Sequence, residues 1–118
     1  KKGIIWIAAV VFVLMVGVAS AEIASGTWGT CAWDISDEGV LTIQEGEVII
    51  TDFGVIVDKP WEQYSTQIVE IKAVEPIVLP DSCNSLFNSL TNLKSANISG
   101  FDTSKVTNMC WMFKDAAV

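Results

Sequence analysis

The sequence predicts a mainly β fold with short helices, and three observations carry that expectation. Residues 31–43 alternate apolar and polar side chains around a glycine-containing turn, the pattern of a half-buried hairpin. Leu86-Phe87 recurs as Met112-Phe113 one period of about 26 residues later, a spacing typical of leucine-rich solenoids. Leu90, Leu93, Ile98, Phe101, Val106 and Met109 are spaced between the two pairs. The units of such solenoids must stack to bury their apolar faces. Ahead of both features, an uncharged apolar run follows Lys1 and Lys2 and ends in Ala19-Ser20-Ala21. The expected architecture is a signal-peptide helix at 1–21, an N-terminal β-rich cap module at 22–80 and the start of a leucine-rich-repeat solenoid at 81–118.

A basic start, an apolar core and a small-x-small site describe a secretory signal peptide, with cleavage after Ala21. An uncleaved membrane anchor is the alternative, because about 18 apolar residues span a bilayer. Residues 22–118 keep all 14 acids of the chain but only five lysines, with no arginine and no histidine, a net charge of −9. Phosphate contacts need clustered Lys or Arg, so nucleic acid is excluded as a partner. Without histidine the commonest general base and metal ligand are missing, and Ser–His and Cys–His nucleophiles are ruled out. A zinc site of the usual kind would have only three thiols to draw on, so neither a metal nor another cofactor is expected. Export makes Cys31, Cys83 and Cys110 candidates for oxidation, but an odd set leaves at least one free or paired elsewhere. Cys31 with Cys83 is the candidate disulfide, as both lie outside residues 101–113; the pairing stays open.

Within the cap, residues 24–30 are small and Gly-rich and read as a flexible lead-in. Cys31, Trp33 and Ile35 share one face of a strand; Val40, Leu41 and Ile43 form its partner across Ser36-Asp37-Glu38-Gly39. Asp34, Asp37 and Glu38 crowd the turn, but without the alternating ligands and closing Glu of a helical calcium loop they read as a solvated surface. Two further β segments are expected near 47–51 and 54–58. Pro60 suits the first position of a short helix carrying Trp61 and Tyr64 on one face. Ile68, Ile71 and Val74 mark another strand, and Pro76 and Pro80 bracket a short extended edge. Trp28, Trp33 and Trp61 are either core packing or sugar-stacking platforms.

In the repeat segment the pattern predicts a short strand over 94–98, a turn at Ser99-Gly100 and then a short helix. Asp102, Thr103 or Ser104 would cap that helix, with Val106, Met109 and Phe113 on one face at i, i+3 and i+7. The stretch "ANISGFDTSKVTNMCWMF" resembles the repeat of BspA-like leucine-rich-repeat surface proteins at Ile98, Ser99, Phe101, Asp102, Thr103, Ser104, Val106, Thr107, Asn108, Met109, Met112 and Phe113. The segments "WGTCAWDISDEGVLTI" and "KPWEQYSTQIVEI" are similar to the module that often precedes such repeats. Asn97 departs from the family's usual aspartate, and Cys110 and Trp111 stand where small or polar residues are usual.

The resemblance implies a bacterial protein, secreted or displayed at the cell surface, acting as a non-catalytic binding or adhesion scaffold. Its implied partners are host or bacterial surface proteins or glycans, held by a longer repeat array, and it meets the membrane only through the signal segment. The alternative is a small secreted carbohydrate- or cell-wall-binding module using Trp28, Trp33 and Trp61. An enzyme of the paired-carboxylate kind would have to draw on Asp34, Asp37, Glu38, Glu45 and Glu47, which fall in turns and strand edges.

Overall fold

The computed structural model describes residues 22–48 and 59–117. The 1–21 leader and most of the β segments expected at 47–51 and 54–58 lie outside them. The described residues are mainly β: eight strands and a single three-residue 3-10 helix. β1 (Glu22–Trp28), β2 (Cys31–Ser36) and β3 (Val40–Ile43) form an antiparallel meander. β5 (Glu70–Lys72) and β7 (Ser95–Asn97) extend it in parallel, giving a mixed five-stranded sheet of order β1-β2-β3-β5-β7. β4 (Gly46–Glu47), β6 (Ile77–Val78) and β8 (Phe101–Asp102) make a second, wholly parallel sheet.

The hairpin forms as its alternation predicts. Cys31, Trp33 and Ile35 are buried on one face of β2, while Ala32 faces out, and Trp33 pairs with Ile43. Gly39 sits at φ +88, a conformation that costs a side chain little only when that residue is glycine, and a Cβ there would lie 2.5 Å from the Gln67 carbonyl oxygen. The expected flexible lead-in is instead β1. Its own residues favour no strand, but their backbone groups pair with β2 from Trp28↔Cys31 back to Glu22↔Ser36, through one register shift. Gly26 leaves room for the Trp33 indole, whose atoms lie 3.1–3.2 Å from where a Cβ would stand.

From β3 onward the chain returns on itself in parallel tiers. Glu70 pairs with Ser95, Ile77 with Phe101 and Ser82 with Asn108, each offset close to the period of the apolar pattern. The first offset is longer, Val40 pairing with Glu70 and Gly46 with Ile77. Between the strands the ladder continues without regular secondary structure. The amides of Cys83, Ser85, Phe87 and Ser89 donate to the carbonyls of Asn108, Cys110, Met112 and Lys114 at 2.7–2.9 Å. Both sheets thus run across the position between residues 80 and 81.

Several expected elements differ. The helix over 104–113 does not form; the segment is a chain of tight turns, with Val106 N–H on the Thr103 carbonyl and Met112 N–H on that of Met109. Left-handed residues at Trp111 (φ 60) and Asp115 (φ 59) interrupt any helical run, and the carbonyls a helix would use internally serve the neighbouring tier. Asp102 still caps locally, its carboxylate accepting the Ser104 N–H at 2.9 Å. The helix after Pro60 shrinks to the 3-10 turn Glu62–Tyr64. The segment between Pro76 and Pro80 is not an edge: β6 is the central strand of its sheet. Val74 is exposed, and Ala73 takes the buried place expected for it.

A column of aromatic rings runs through the tiers. Trp61 stacks on Phe87 with centroids 5.9 Å apart, and Phe87 packs on Phe113 at 5.5 Å. Each ring stands one full period after the last. Trp28 and Trp33 close the first end edge-to-face on Trp61, at 5.0 and 6.1 Å. Trp61 also donates its indole N–H to the Leu86 carbonyl, tying one tier to the next. Phe87 is fully buried while Phe113 is 36% exposed. Phe87→Ala is therefore expected to cost about 3–5 kcal/mol in urea unfolding, and Phe113→Ala about 1–2 kcal/mol. Equal costs would mean that the column has no open end.

Candidate functional site

The residues that the sequence singles out as repeat-motif positions converge on one side of the last tier. Ile98, Phe101, Thr103, Met109, Trp111, Met112 and Phe113 line an open, mostly apolar concavity of about 570 Å³. The previous tier shows why it exists. Ile77 pairs with Phe101, and Cys83, Leu86 and Phe87 precede Met109, Met112 and Phe113 by one period. Those four earlier residues are wholly buried, whereas Met109 is 45% exposed and Phe101 only half-buried. Met112 stays buried like Leu86, but Met109, Phe113 and Phe101 are more exposed than their counterparts one tier earlier, because no described residue packs beyond the last tier. Apolar surface left in water in this way favours a contact that removes it.

The other motif residues hold the backbone of this face. Asp102 and Ser104 make the turn described above, and the backbone N–H of Ser104 is the main cause that holds the Asp102 carboxyl below its usual pKa. Asn108 accepts the Cys110 N–H at 2.8 Å through its side-chain oxygen. Val106 is half-buried against the core, and Thr107 donates its hydroxyl to the Asp81 carbonyl. Lys105 reaches Glu47 at 2.9 Å, joining the last tier to the first. Both partners are exposed, so that ion pair contributes about 0–1 kcal/mol.

Trp111 is the feature sequence reasoning marks as a departure without assigning it a place. It is 59% exposed, and the Lys114 ammonium lies 4.7 Å from its ring centroid. Its left-handed backbone repeats that of Ser85 (φ 62), one tier earlier, just as Asp115 repeats Ser89 (φ 65). For a bulky residue this conformation costs about 1–2 kcal/mol. Among the described residues of the earlier tiers no tryptophan is so exposed: Trp28, Trp33 and Trp61 are 2%, 5% and 1% exposed. The proposed sugar-stacking use of these three is therefore corrected; they are core, packed on one another around Trp61.

The candidate Cys31–Cys83 disulfide is likewise corrected, since all three cysteines are free thiols. Cys31 lies in β2 at the first tier, while Cys83 sits well beyond it in the chain with its Sγ directed at the Pro80 carbonyl oxygen. Burial raises the pKa of both, that of Cys83 to about 11, with nearby Asp81 adding to the shift. Among the described residues no group of acids and thiols is placed to hold a metal. The pKa of Asp34 is pushed upward by burial and then by Glu22. No described helix is long and apolar enough to cross a membrane.

No protein-family model matches the chain, and neither the curated proteins nor the solved structures contain a match.

The Cys83 thiol sets a pH dependence. An unfolded thiol ionises near 9.0 and the folded one near 11, so above pH 9 only the unfolded state sheds its proton. Stability is then full below pH 9 and declines as pH rises towards 11, by on the order of 2–3 kcal/mol. Urea unfolding of the native chain and Cys83→Ala across pH 8–11 isolates this contribution. The difference between the two should shrink by that amount; a constant difference would show that burial does not hold the thiol neutral.

Proposed function

We propose that the chain is a secreted or cell-surface repeat protein that acts as a binding scaffold, without catalysis. In this reading the meander of β1, β2 and β3 is an N-terminal cap, and the parallel tiers are the start of a leucine-rich-repeat solenoid of the BspA-like kind. The observation that carries it is recurrence at a single period: left-handed backbone at Ser85 and Trp111 and again at Ser89 and Asp115, with Trp61, Phe87 and Phe113 in one column. The last two tiers share backbone conformation as well as apolar side chains, as stacked repeats that bury a common core do.

A scaffold of this kind works by presenting a rigid face whose side chains differ from tier to tier. The partners proposed are host or bacterial surface proteins or glycans. The acidic composition of residues 22–93, with twelve acids against two lysines, disfavours nucleic acid and anionic lipid as partners. Export is proposed to rest on the apolar leader, with processing after Ala21. The carbohydrate-module reading loses its platforms, because using Trp28, Trp33 or Trp61 would require opening the core.

Expression of the chain in a bacterial host, followed by N-terminal sequencing of the exported product, should give Glu22 as its first residue. Applied to intact bacteria and to immobilised host matrix proteins and glycans, that product should be retained at micromolar concentration by at least one of them. Retention no greater than that of an unrelated acidic protein would remove the adhesion reading. A cytoplasmic product would remove the export reading separately.

A further inference from the structure

We draw no further inference here: the strongest candidate, the apolar concavity of the last tier bounded by Phe101, Met109, Trp111 and Phe113, carries nothing, because nothing in the structure shows what covers that face.

Discussion

Main-chain hydrogen bonding between successive returns of the chain is the constraint from which the rest of the structure follows. Once Ile71 pairs with Leu41 on one side and Ala96 on the other, side chains one tier apart are forced into columns. Apolar residues must then recur at that spacing, or the column meets a polar group with no partner. Short strands of two or three residues would be weak alone. They hold because the irregular stretches between them also bond from tier to tier, as the amides of Cys83, Ser85, Phe87 and Ser89 do.

The ring column and the close approach at Gly100 depend on the same spacing. A Cβ on Gly100 would run into the Glu75 backbone and stand 2.7 Å from the Val74 carbonyl carbon. The chain there passes too near the previous tier for any side chain. The N-terminal meander adds Trp28 and Trp33, which pack edge-to-face on Trp61. Indoles thus pack against the first tier, while Met109, Trp111 and Phe113 are the exposed large apolar side chains of the last described one.

The sequence and the structure agree best where the local pattern and the tertiary partner say the same thing. Residues 31–43 alternate in a way that needs only their own hairpin, so their burial was legible residue by residue. β1 was not, because Ala24, Ser25 and Gly26 interrupt any alternation between Ile23 and Trp28, and pairing with β2 makes it a strand. The expected helix near Met109 illustrates the opposite failure. Turns closed every three residues copy the i, i+3 spacing of a helix, and spacing alone does not reveal that the carbonyls point to a neighbouring tier. For the site, the step from Phe87 to Phe113 was visible, but Trp61 one step earlier was concealed by its different ring and by Pro60. The buried tryptophans and the bare Trp111 could not be told apart from composition, since exposure is a property of what stacks on each tier.

The sequence separations in the ladder have a consequence for how the molecule comes to be folded. Each parallel pair joins one return of the chain to the next, so no step requires distant parts of the chain to find each other. Closing the longest of these loops costs only a few tenths of a kcal/mol more than closing the shortest, by the logarithmic growth of loop entropy. A chain emerging from the ribosome therefore completes its hairpin first, and every later turn meets a finished template. Order is propagated in the direction of synthesis, and a turn with a neighbour on one side only exchanges its amide protons with solvent before one held on both.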